Sequence, residues 1–301
     1  MKKLVSVLAL ALVISIAVPV LAQSADGTTW SSAITYYTPS AVSGTLQVSF
    51  YAEGSSTGIN ATPISLAPHK AGSLQVGTVA LVPSGFKGAA VLSSDVPVIA
   101  TNVEIATSPN QSQYARSIYD GMTANDAAST FYVASALRNV FNTNSQFGVQ
   151  NVESFDADAV LHFYSGPTEV FSATRTIKSQ SSIVFKVGDL TGAPATLNGS
   201  LVIEAHKTGD TGTPAKVLAT SVERDISGRR AKSFEGVASG GTQIFMASLL
   251  CNYVPSAGAG AQQTNYAIQN ASGGSADFSV SIYNTAGTLL TTTPTQTTGV
   301  P

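Results

Sequence analysis

The chain repeats itself, and that repeat limits the folds open to it more than any other feature. Residues 146–151, Gln-Phe-Gly-Val-Gln-Asn, recur at 265–270 as Asn-Tyr-Ala-Ile-Gln-Asn. Thirteen residues after each closing Asn, a Tyr ends an alternating run: Ala-Val-Leu-His-Phe-Tyr at 159–164 and Phe-Ser-Val-Ser-Ile-Tyr at 278–283. Both pieces move by 119 positions, so they belong to one unit. A fainter first copy stands 113 residues ahead of the second, with Ala-Ile-Thr-Tyr-Tyr-Thr at 33–38 and Leu-Gln-Val-Ser-Phe-Tyr at 46–51.

The later half of the unit repeats as well. Pro-Val-Ile-Ala-Thr-Asn-Val-Glu at 97–104 matches Lys-Val-Leu-Ala-Thr-Ser-Val-Glu at 216–223, and Gly-Phe-Lys-Gly-Ala-Ala-Val at 85–91 matches Thr-Leu-Asn-Gly-Ser-Leu-Val at 196–202. The junctions 115–121 and 231–236 correspond, and each leads into an opening segment, 131–139 or 244–252. Within the unit the period is two. Leu46, Val48 and Phe50 alternate with Gln47, Ser49 and Tyr51; Ala159, Leu161 and Phe163 do the same in the second copy, and Phe278, Val280 and Ile282 in the third. Such alternation marks a strand with one face on a core and the other toward solvent. The runs are short, rich in β-branched and aromatic residues, and separated by Gly, Pro, Asn and Ser. These features predict an all-β chain of tandem immunoglobulin-like β-sandwich repeats, about 115 residues each, the usual size of one sandwich domain.

The expected organisation is a signal peptide at 1–22, repeats at 23–121 and 122–236, and a partial third repeat at 237–301. The third supplies opening strands and then passes into a threonine-rich tail, Thr-Thr-Thr-Pro-Thr-Gln-Thr-Thr at 291–298. Half a sandwich cannot bury both faces of its own sheet and leaves an edge open to pairing. This half is expected to belong to a longer repeat protein or to be completed by another chain.

Lys2 and Lys3 precede an apolar run to about Leu21, which Pro19 interrupts, and Val20-Leu21-Ala22 offers small or modest residues for cleavage after Ala22. That is a secretory pattern, and it places the mature chain outside the cell or on its surface, with no membrane span after cleavage. Only 11% of residues are charged, against about 25% in typical domains. The formal net charge is −2, so no basic field attracts nucleic acid. The single cysteine, Cys251, rules out an internal disulfide. It reads as a small buried side chain, or as the thiol of an intermolecular disulfide.

Chemistry is sparse. His69, His162 and His206 lack the spacing of metal pairs. His162 falls in the outward phase of its strand, where the sister copies carry Ser49 and Ser281. No catalytic or cofactor-binding residue is expected. Glu153, Asp156 and Asp158 cluster in one hairpin, where carboxylates can hold Ca²⁺ or form a solvated acidic turn. Glu104 and Glu223 occupy equal places in matched strands and read as structural partners of Arg116, or of Arg224 and Arg229. Tyr51, Tyr164 and Tyr283 share the polar phase of their strands; each either covers a sheet edge or stacks on a sugar ring. Trp30 reads as a strand anchor. Sequons at Asn60, Asn110, Asn198 and Asn270 mark polar loops open to glycans.

The opening Phe-Tyr-Val…Leu…Asn (131–139), the Val-Gln-Asn strand end (149–151), the Phe163-Tyr164 pair, the turn-strand at 85–91 and the strand at 98–104 resemble uncharacterised secreted bacterial repeat proteins with immunoglobulin-like units. The resemblance covers most of two repeats and implies a surface-layer, filament or adhesion role, with no catalytic residues to transfer. The expected function is therefore a non-enzymatic, exported structural or adhesion protein. Its expected partners are other copies of itself, neighbouring repeats or a surface glycan. A carbohydrate-binding accessory module, or the non-catalytic N-terminal part of a longer secreted enzyme, stands as the alternative.

Overall fold

A computed structural model describes residues 22–23, 29–107, 114–225, 231–254 and 263–298. It is all-β: antiparallel sheets, none closed into a barrel, with two single 3₁₀ turns as the only helical pieces among the described residues. The first half contains β1 (Ala22–Gln23), β2 (Thr29–Tyr37), β3 (Gly44–Ala52), β4 (Gly58–Asn60), β5 (Ile64–Leu66), β6 (Ala71–Gln75), β7 (Gly88–Ser94), β8 (Ile99–Thr107) and β9 (Tyr114–Asp120). One sheet runs β1-β2-β8-β9 with β6 also on β2; the other sets β4, β5 and β7 around β3.

The second half contains β10 (Thr130–Arg138), β11 (Thr143–Asn151), β12 (Ala157–Ser165), β13 (Thr168–Ile177), β14 (Ser182–Lys186), β15 (Leu197–Lys207), β16 (Asp210–Pro214), β17 (Val217–Asp225) and β18 (Ala231–Glu235). Its sheets run β14-β11-β17-β18 and β10-β15-β12-β13, with β16 on β15.

The ladders that both halves contain agree residue by residue with the sequence repeat. Phe50 pairs with Ala90 as Phe163 pairs with Leu201. Ile34 pairs with Leu74 and Asn102 as Phe147 pairs with Phe185 and Ser221. Gly121 donates its N–H to the Ala100 carbonyl as Gly236 does to that of Ala219. Gly88 and Gly199 explain the shared glycine of the turn-strand. A Cβ on Gly88 would lie 2.0 Å from the Tyr51 carbonyl oxygen, and one on Gly199 only 1.7 Å from that of Tyr164. The backbone approaches too closely there for any side chain.

The period-two pattern buries as it reads. Leu46, Val48 and Phe50 are at most 1% exposed, and Ala159, Leu161 and Phe163 are fully buried. In the second half, Phe147 sits 6.2 Å from Phe163 and 5.5 Å from Phe185 between ring centroids. Its core draws on both sheets, including β10 through Phe131, Val133 and Ala136. The first core is smaller, centred on Ile34, Tyr36, Leu46, Val48, Phe50 and Leu66.

The third segment departs from the expectation. The run 278–283, read as one strand, is split into β19 (Ala276–Phe278) and β20 (Ser281–Tyr283). The threonine-rich stretch is not featureless: β21 (Leu289–Thr292) pairs with β20, and β22 (Gln296–Thr298) with β19. The turn between β20 and β21 is made by Asn284, whose carboxamide oxygen accepts from the N–H groups of Ala286 and Thr288, and by Gly287 at φ 80°. Residues 244–252, read as an opening strand, join no ladder. An isolated strand has no stability without a partner for its backbone groups.

Candidate functional site

The most specific sequence signal, the Asn closing the Val-Gln-Asn stretch, proves to be a turn lock. Asn151, fully buried at the end of β11, donates through Nδ2 to the carbonyls of Phe155 (2.7 Å), Ile177 (3.2 Å) and Lys178 (3.3 Å). Its Oδ1 accepts the Glu153 N–H at 2.9 Å. Asn270 does the same: Nδ2 reaches the Gly274 carbonyl at 2.7 Å, and Oδ1 accepts from the Ser272 N–H at 2.9 Å. In the first copy the hydroxyl of buried Thr38 accepts the Ser40 N–H at 3.2 Å and donates to the Pro97 carbonyl at 2.8 Å. A short polar side chain satisfies the backbone where β2 and β11 exit their sheets, and Asn270 locks a like turn although residues 265–270, read as a strand, join no ladder among the described residues.

The acidic hairpin is committed locally. Glu153 accepts the Lys216 N–H at 3.2 Å. Asp156 takes Lys178 Nζ at 2.6 Å and the Ser179 N–H at 3.1 Å, which hold its carboxyl below the usual carboxylate range. Asp158 accepts from the hydroxyls of Thr176 (2.6 Å) and Thr208 (3.0 Å). Each carboxylate faces its own partners rather than a common centre, and among the described residues no three His, Cys, Asp or Glu side chains converge as metal ligands.

The tyrosines lie apart. Tyr51 is half-buried over Gly58, where an added Cβ would sit 3.1 Å from the ring. Tyr164 is half-buried between two carboxylates, and Tyr283 is 60% exposed. Cys251, read as a small buried side chain or as an intermolecular thiol, is exposed, because its segment joins no sheet. Asn60 and Asn198 are exposed, Asn270 is engaged in its turn, and Asn110 and Arg229 lie outside the described residues. His69 is exposed and His206 half-buried.

One cluster escaped the sequence reading. His162 is on the outer face of β12, yet its side chain is only 22% exposed. Nδ1 lies 3.2 Å from a Glu169 oxygen, and Nε2 lies 3.8 Å from one of Glu204. Glu169 arrives on the β13 hairpin and Glu204 on β15, the other neighbour of β12. Burial, then the charges of Glu169 and Glu204, raises the pKa of Tyr164 beside them. The group spans three strands. Only the hairpin partner, seven residues away, could have been read from sequence.

Glu104 and Glu223 keep equal places but take different donors. Glu223, 7% exposed, accepts from the Ser135 hydroxyl of β10. Glu104 accepts from Asn102 Nδ2 (3.2 Å) and Tyr119 Oη (3.3 Å), and burial raises its pKa against the lowering effect of those bonds.

The two halves touch through built contacts. Glu53 accepts the Val184 N–H at 3.2 Å, and Lys87 Nζ donates to the Val184 carbonyl at 3.3 Å. Glu53 and Lys87 are themselves 3.2 Å apart. Ser181 donates its hydroxyl to the Ala52 carbonyl at 2.8 Å. The outer edge of β14 is thus capped by the preceding unit, which blunts an edge otherwise open to foreign strands. The Arg224 guanidinium lies over the Trp30 ring at 5.0 Å, beside a shallow cleft also lined by Asn144, Gln146, Lys186, Val222 and Asp225. Trp30, read as a strand anchor, thus contacts the next unit. Asp120 N–H donates to Glu235 at 2.5 Å, joining the ends of β9 and β18.

No helix among the described residues is long and apolar enough to cross a membrane. Compared with protein-family models, curated proteins and solved structures, the chain shows no match.

Proposed function

We propose that the chain is an exported, non-catalytic structural or adhesion protein of a bacterial surface, built from tandem immunoglobulin-like units. The observation that carries this reading is the capping of β14. Glu53 and Lys87 of one unit satisfy both outward backbone groups of Val184 in the next, so consecutive units are fitted to each other. A low-charge surface rich in Ser, Thr and Asn suits an envelope or matrix setting, and the basic-then-apolar leader supplies the route out. The test is fractionation of expressing bacteria with N-terminal sequencing of the product. The expected result is a chain beginning at Gln23 in the surface or external fraction. An uncleaved chain confined to the cytoplasm overturns the reading.

A glycan-binding role is the second reading, favoured by the 60% exposure of Tyr283, since an open aromatic face stacks on sugar rings. Glycan-dependent changes in tyrosine fluorescence, lost in Tyr283→Ala, would support it over a purely structural role.

A further inference from the structure

We propose that residues 244–252 of one copy of this chain add as a strand to the open edge of β7 in a second copy. The inference deepens the structural reading above and rests on it for its setting outside the cell.

The argument begins with the matched ladders. β15 is paired on both edges, by β12 and by β10. Its counterpart β7 pairs, among the described residues, with β3 alone. The consequence shows in the core. Leu201, Ile203 and Ala219 are at most 1% exposed, whereas their counterparts Ala90, Leu92 and Ala100 are only half-buried. Among the described residues, the first sandwich lacks cover where β10 covers the second.

The segment 244–252 carries the sequence of that missing strand. It aligns with 131–139 without a gap: Ala247-Ser248 stands for Ala134-Ser135, Leu250 for Leu137 and Asn252 for Asn139. The inward residues Phe131, Val133 and Ala136 become Ile244, Met246 and Leu249, which are 69%, 44% and 36% exposed. Apart from ties between Leu250 and Thr264, its backbone joins no sheet among the described residues.

Carrying over the β10–β15 register places Ile244 opposite Leu92, Met246 opposite Ala90 and Leu249 opposite Gly88. The volumes compensate, because Met246 replaces Val133 where the acceptor has Ala90 in place of Leu201. The same register brings Ser248 to Glu104 as Ser135 stands to Glu223, adding a hydroxyl donor to a desolvated carboxyl. Main-chain bonds give such an added strand its affinity, and alternate side chains give it register.

The mature chain, residues 23–301, carries its own probe. In this register Cys251 lies opposite Phe86, next to Lys87. Isotope-labelled and unlabelled copies are mixed and treated with a short thiol-to-amine cross-linker. Light scattering follows assembly across concentration. The expected results are a mixed-isotope peptide joining Cys251 to Lys87 and a concentration-dependent ladder of sizes. Replacing Met246 and Leu249 together by Asp should weaken association about tenfold or more and leave the thermal melt unchanged, because both side chains are exposed in the single chain. A strict monomer, a link confined to one isotope, links only to other lysines, or a ladder that survives the double substitution each overturns the proposal. Failure here with the chain found outside the cell leaves the export reading standing. Assembly by a chain retained in the cytoplasm overturns the export reading alone.

Discussion

Asn151 offers the sharpest test of how the unit is held together. Its fully buried carboxamide donates to the Phe155 carbonyl in the turn between β11 and β12 and to the Ile177 and Lys178 carbonyls at the end of β13, and it accepts the Glu153 N–H. Asn151→Ala strands those groups. The Phe155 carbonyl at 2.7 Å loses most, and the contacts at 3.2 and 3.3 Å contribute less. With roughly 1–3 kcal/mol for a buried polar group left without its partner, the sum is about 3 kcal/mol. For a unit of this size that lowers Tm by about 10–20 °C, read by circular dichroism and by urea unfolding at constant slope. Asn151→Asp is the diagnostic variant. It is nearly isosteric and keeps the acceptor for Glu153, but it sets a carboxylate against three carbonyl oxygens, so at pH 7 it should melt below the Ala variant. Burial among carbonyls raises the carboxyl's folded pKa above its unfolded value, so this variant regains stability as pH falls and the protonated group donates again. An Asp variant as stable as the parent at pH 7 would refute the assignment of Asn151 as a donor.

Gly199→Ala should cost about 3 kcal/mol, near the upper end of overpacking effects. The new Cβ meets the Tyr164 backbone at 1.7 Å, and a backbone atom in a ladder cannot swing aside. A melt within two degrees of the parent, where about 10 °C or more is expected, would contradict the close approach. Glu104 has a raised pKa in the folded state, so the folded chain binds more protons than the unfolded one. Its penalty is absent below the ordinary value of 4.5 and grows as pH rises through the raised one. Glu104→Gln keeps an acceptor for Asn102 and Tyr119, and it should raise Tm at pH 7 and flatten the pH dependence above 4.5. An unchanged pH profile would count against burial as the cause.

Local features of the chain determined much of this protein. Alternation in 46–51 and 159–164 announces which side chains are buried, because a strand turns successive residues to opposite faces. The repeat offsets predict which ladders must be alike. Gly88 and Gly199 mark close approaches, and a short polar residue at 38 and 151 marks the end of a strand, while the one at 270 locks a turn with no strand before it among the described residues. Each of these is written within a few residues. Tertiary structure decided the rest, because it depends on which strands become neighbours. His162 meets Glu204 only because β12 lies beside β15, and Val184 meets Glu53 across 131 residues of chain. The same cause exposes Cys251 and leaves residues 244–252 outside every sheet despite their strand-like sequence. A β-strand takes its backbone partners from elsewhere in the chain or from another molecule, so its pattern can be written locally while its pairing cannot.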